Sequence, residues 1–179
     1  MRTITGPNGT GRYYVVDEEK NIAYPSVTTI LGEMTDKSGI DKWKKRVGEE
    51  AALAKSKYAA DRGTFMHLLH EKTLELKIQG HTGMLVRDAY LLAVEELKDQ
   101  ISKESLEAGK KLFLNFYRTD FYEEIDKLIF QEVPVWSSVG GGYAGRLDLM
   151  VRKKSNSITL IDFKSSAKPK KEEWIGNYK

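Results

Sequence analysis

Gly145-Arg-Leu-Asp-Leu-Met-Val-Arg-Lys-Lys-Ser-Asn-Ser-Ile-Thr-Leu-Ile-Asp-Phe-Lys164 is the stretch on which the fold turns. Two runs of alternating, mostly apolar residues, Tyr143–Arg152 and Ile158–Lys164, flank the polar turn Lys153–Ser157. That is the pattern of a β-hairpin. A turn centred on Ser155 pairs residues equidistant from it, which sets Asp148 opposite Asp162. Directly opposed side chains lie about 5 Å apart at Cβ, and like charges there destabilise a sheet. Lys164, two residues beyond Asp162, points to the same face. Leu147, Leu149, Leu160, Ile161 and Phe163 cover both faces, so the hairpin reads as central and buried, where unpaired carboxylates are costly. Two explanations fit: a hard divalent cation between the carboxylates, or a metal-free Asp–Lys–Asp ion cluster. Spacing alone leaves both open. A cation there would suit phosphodiester hydrolysis, since it polarises the phosphate and acidifies water. A nearby lysine can orient that water or steady the developing charge.

Outward from the hairpin, Leu128–Ser137 reads as another strand and Ser138–Gly142 as a Gly-rich turn. Upstream the period changes from 2 to 3.6. Ile40, Trp43, Val47, Ala51, Ala54 and Tyr58 recur at three- and four-residue steps, which predicts one amphipathic helix with Trp43 in the core. A second helix is expected from Asp61 through Phe65, Leu69 and Thr73, stopped by Gly80–Gly83. A third carries Val86, Tyr90, Ala93, Leu97 and Ile101. A fourth runs from Ser105 past Phe116, with a possible extension through Phe121 and Ile125. Near the N-terminus, Tyr13–Val16 and Ile22–Tyr24 form a hairpin, and Ser26 caps a short helix over Val27–Met34. Ser165–Lys171 reads as a loop and Glu172–Lys179 as the start of a helix.

Composition narrows the class. The 179 residues suit one domain. We divide it into an N-terminal hairpin and short helix (1–36), a helical region (37–127), and a catalytic sheet with the start of the following helix (128–179). The absence of Cys excludes a disulfide framework, a thiolate zinc site, a cysteine nucleophile and an iron–sulfur cluster. No signal peptide and no membrane-spanning run is evident, which predicts a cytoplasmic protein with no membrane partner. The net charge is only +3, but from Arg152 onward eight basic residues face three acidic ones, a surplus of five. A basic end on a slightly acidic body suggests an anionic partner; a solvated, Lys-rich end is the plainer reading.

Gly145-Arg-Leu-Asp148 followed by Ile161-Asp-Phe-Lys164-Ser-Ser resembles the PD-(D/E)XK nuclease signature. Tyr24-Pro-Ser-Val-Thr-Thr-Ile-Leu31, Trp43 with Arg46, and Arg62-Gly-Thr-Phe-Met-His67 with Glu71 extend the resemblance to the RecB-like exonuclease branch, nearest the mitochondrial genome maintenance exonucleases and their phage and bacterial relatives. The resemblance implies an α/β (α+β) restriction-endonuclease-like core, with a mixed sheet flanked by helices and a helical N-terminal half. It implies His67, Asp148, Asp162 and the Phe163 carbonyl as ligands of Mg²⁺ or Mn²⁺, Lys164 as the catalytic lysine, and Glu132 as an acidic residue facing the site. Arg62, Ser26, Thr28, Arg46 and Tyr178 would lie along the path of DNA, expected to be single-stranded, in a bacterial or phage-encoded protein. In the family a Gln-x-x-x-Tyr helix and further strands follow Asn177-Tyr178, so the last element here reads as cut short.

The residues themselves allow plainer readings. His67 and Glu71, at i and i+4, share a helix face, but a histidine on an apolar face is often simply core. Glu132 can be an ordinary strand residue, Arg62 and Arg46 surface ion-pair partners, and Ser26 only a helix cap. His70-Glu71 lacks the second histidine of a zincin helix, and Gly140–Gly145 lacks the Lys and helix of a P-loop. A non-catalytic DNA-binding subunit and a restriction-type endonuclease remain as alternatives to an exonuclease.

Overall fold

The computed structural model describes residues Met1–Ser166. They form two compact units. One contains Met1–Ala52 and Asp126–Ile161; the other contains Leu53–Ile125 and the segment beginning at Asp162.

The first unit carries two three-stranded antiparallel sheets. Strands β1 (Thr3–Thr5), β2 (Arg12–Asp17) and β3 (Ile22–Pro25) pair in that order, with Tyr14 opposite Tyr24. The expected hairpin is present; β1 adds a strand the Gly- and Thr-rich N-terminus did not announce. Helix α1 (Val27–Met34) follows, with the Ser26 hydroxyl accepting from the Thr29 N–H at 3.0 Å. Helix α2 spans Ser38–Val47. The second sheet orders β4 (Ile125–Ser137), β5 (Tyr143–Lys153) and β6 (Ile158–Ile161). Leu149 pairs with Ile161 and Arg152 with Ile158, the register that a turn centred on Ser155 demands. The parallel element of the expected mixed sheet is a single bridge, Ser26 to Ala144.

The second unit is built on α3 (Glu49–Ile78), with α4 (Leu85–Leu97), α5 (Lys103–Tyr117) and α6 (Phe121–Glu124). Phe65, Met66, Leu68, Leu69, Thr73 and Leu74 are all buried, so the middle of α3 is enclosed on most sides rather than along one stripe. Gly109 lets α5 cross α3 closely, because a Cβ there would meet the Arg62 carbonyl oxygen at 2.6 Å.

Several expected boundaries move. The helix expected to run from Ile40 to Tyr58 is broken at Gly48, whose backbone (φ 87°) suits glycine and ends α2. The break expected at Asp61 is absent: α3 runs unbroken through it. Trp43 is half-buried rather than core, and α2 has no buried residue. The fourth helix stops at Tyr117, and α6 follows as a separate turn. The last strand ends at Ile161, not Lys164, and it is not buried: Ile158 and Leu160 are 54% and 61% exposed. It lies at the edge of the described sheet, with one neighbour only. The segment from Ala167, including Tyr178 and the expected loop and helix, lies outside the described residues. Among the described residues no helix is long and apolar enough to cross a membrane.

Candidate metal centre

The first unit supplies a pair of carboxylates. Glu132 on β4 and Asp148 on β5 are both half-buried, and each offers an oxygen within 4.8 Å of the other's. Glu132 has a left-handed backbone (φ 51°) inside a strand. A non-glycine residue held there costs on the order of 1–3 kcal/mol, and such positions cluster at functional sites. The Arg146 guanidinium stands 3.5 Å from Glu132 Oε2, a loose contact that offsets part of the negative charge. Asp148 is flanked by Leu147 and Leu149, as the alternation of the strand requires.

The second unit supplies a histidine, a carbonyl and an Asp–Lys pair. His67, half-buried on α3, holds Nε2 at 3.1 Å from the Phe163 carbonyl oxygen. Two bare acceptors at that separation repel. An Nε2–H donating to the carbonyl satisfies them; so does a hard cation, whose adjacent octahedral ligands lie about 3 Å apart. The residues present therefore fit a divalent ion. Beyond β6 the side chains alternate in burial: Phe163 is 9% exposed, while the Asp162 and Lys164 side chains are 61% and 54% exposed and ion-paired at 2.5 Å. An exposed pair of this kind is worth about 0–1 kcal/mol, so little opposes exchanging Lys164 for a cation at Asp162.

Behind Phe163 sits a group that sequence reading missed. The His70 ring, one helical turn from His67, stacks on the Phe163 ring with centroids 3.8 Å apart and planes at 4°. His70 Nδ1 is hydrogen-bonded to the Tyr122 hydroxyl, and Phe113 and Phe116 meet the His70 ring edge-on. The Lys77 ammonium donates to the Tyr122 carbonyl. Burial, aided by the nearby His67, pushes the His70 imidazole down to about 3, so it is neutral. Burial also raises the Tyr122 hydroxyl. The His67–His70 spacing, together with the aromatic residues on α5 and α6, was the available signal. Glu71 is half-buried on the same helix.

The residues expected along DNA divide similarly. In the first unit Ser26 is buried, its hydroxyl 2.9 Å from that of Thr28 and 2.8 Å from that of Thr29, whereas Thr28 and Arg46 are exposed. In the second, Arg62 is half-buried with its guanidinium 5.7 Å from the Tyr58 ring centroid, and its Nε has no hydrogen-bond partner among the described residues.

The PD-(D/E)XK nuclease superfamily profile matches residues 39–178. The chain belongs to this superfamily, whose members are nucleases that use divalent metals, with DNA as the implied substrate. No curated protein and no solved structure matches it.

Proposed function

We propose that this protein is an exonuclease of the RecB-like branch, acting on single-stranded DNA in replication, repair or recombination, in a bacterial or phage cytoplasm. In this reading both units work as one nuclease domain. His67, Asp148, Asp162 and the Phe163 carbonyl would hold one Mg²⁺ or Mn²⁺, with Glu132 beside Asp148. The observation that carries the reading is His67 Nε2 facing the Phe163 carbonyl at 3.1 Å, between the Asp162 and Lys164 of the Asp-Phe-Lys stretch that resembles the nuclease signature. When bound, the cation supplies positive charge to the phosphate oxygens and acidifies water.

The chain's own residues do the rest. Lys164, released from Asp162, orients the attacking water and steadies charge on the phosphorus oxygens. Glu132, held by its strained backbone, accepts a proton or hydrogen bond beside Asp148. His67, braced on α3, keeps the Phe163 carbonyl aimed. Thr28, Arg46 and Arg62 would contact the strand, with Ser26 capping the helix that carries Thr28; Tyr178 would join them.

Digestion of end-labelled single-stranded DNA with Mn²⁺ tests the reading. Lys164→Ala should cut the rate by about 10²–10⁴-fold and leave metal affinity in place; cleavage at the parent rate sinks the mechanism. Calorimetry on Asp148→Ala should show lost metal affinity. Retention of DNA without degradation, with or without metal, would favour a non-catalytic binding subunit that keeps the Asp162–Lys164 ion pair. Nicking of closed circular DNA would favour a restriction-type endonuclease.

A further inference from the structure

We propose that Trp136 and Tyr24 form a base-stacking platform for single-stranded nucleic acid. The inference rests on the nuclease reading and extends it to how the strand is gripped. Trp136, on β4, is 51% exposed. Its ring lies 5.9 Å from that of Tyr24 with planes at 49°. The Tyr24 ring is seated on bare backbone: Gly142 has φ +92°, and a Cβ there would meet the ring at 2.2 Å. The pair is thus built by a glycine that leaves room for it. Val139 and Tyr143, at 72% and 42% exposed, flank the same turn.

Exposed apolar surface of this kind marks an interaction site. The occupant follows from three features. The residues that meet are aromatic, and every base offers a π-face to such a surface, with a gain that does not depend on sequence. Trp136 lies four residues beyond Glu132 on one strand, about 13 Å of extended chain, the reach of a few nucleotides from the carboxylate pair. Another strand is a poor alternative, because Pro134 removes a backbone donor from β4, which has one neighbour in the described sheet.

The test is fluorescence anisotropy of a labelled oligo-dT in EDTA, so that no strand is cut. Trp136→Ala should weaken binding by about 5- to 150-fold, the stacking of one base. Trp136→Tyr should recover most of it. The dependence on salt should stay the same, because no phosphate contact is removed, and binding to duplex should not change. With the unaltered protein, single abasic sites walked along the oligonucleotide should give a penalty at one or two adjacent positions. Equal affinity in Trp136→Ala, an equal loss on duplex, a flat abasic scan, or a changed oligomeric state without a change in DNA binding would each overturn the platform. Metal-dependent cleavage is scored separately, so a failed platform and a failed nuclease reading give different results.

Discussion

The two units bury their side chains in different ways. In the first, Leu149 and Val151 are fully buried in the second sheet, but sheets and short helices leave Leu31, Met34, Ile40, Phe130 and Leu160 at least half exposed, and neither α1 nor α2 has a buried residue. In the second, Phe65, Phe113, Leu69 and Leu74 are fully buried, and rings from α3 and α5 close around Phe163. The contrast separates two ways to aim a functional group. Glu132 and Asp148 are aimed by strand backbone. His67 and the Phe163 carbonyl are aimed by a packed core, where a shift of one ring moves its neighbours.

The largest test of this contrast is Phe113→Ala, expected to cost about 3–5 kcal/mol in chemical denaturation. Leu149→Ala, at a fully buried position of the sheet, should cost about 2–5 kcal/mol; a loss larger than that at Phe113 would erase the difference. Acid comes next. His70 is held at about 3 against 6.5 when unfolded, so the unfolded chain binds the extra proton between these values. Stability is full above pH 6.5 and falls as pH drops toward 3, by at most about 1.4 kcal/mol per unit. His70→Phe should flatten that slope, and an unchanged acid slope would show that another group sets it. Ser26→Ala should cost about 1 kcal/mol through loss of the α1 cap. Arg152→Ala, which breaks a half-exposed pair with Asp126 at 2.5 Å, should cost 1 kcal/mol or less, read from the same denaturation curves. A larger loss would mean that surface charge, not the core, secures the first unit.

The hairpin and α1 were legible from sequence because local chemistry decides them. A five-residue polar turn sets one register, and Ser26 is a good cap wherever it stands. The α3 boundary was not legible, since Gly48 and Asp61 both resemble helix ends and only φ at Gly48 separates them. Of the candidate site, Asp148, Asp162 and Lys164 stand out by spacing, which leaves a cation and a metal-free ion cluster both open, and the Asp162–Lys164 contact follows from their lying two residues apart. His67 needed the superfamily pattern. Glu132 could not be singled out by residue type, because its left-handed backbone is a property of the folded strand. His70 and Tyr122 are 52 positions apart, and nothing local links them.

The Ser26–Ala144 bridge has a consequence for synthesis. A ribosome adding about 5–20 residues per second makes Ser26 some 6–24 seconds before its partner. For that interval the first sheet and α1 have emerged while the strand they contact does not yet exist, and a long chain segment must then be closed into a loop. The N-terminal sheet is therefore a surface that waits. Until Ala144 is made, the Ser26 edge of that sheet has no partner strand.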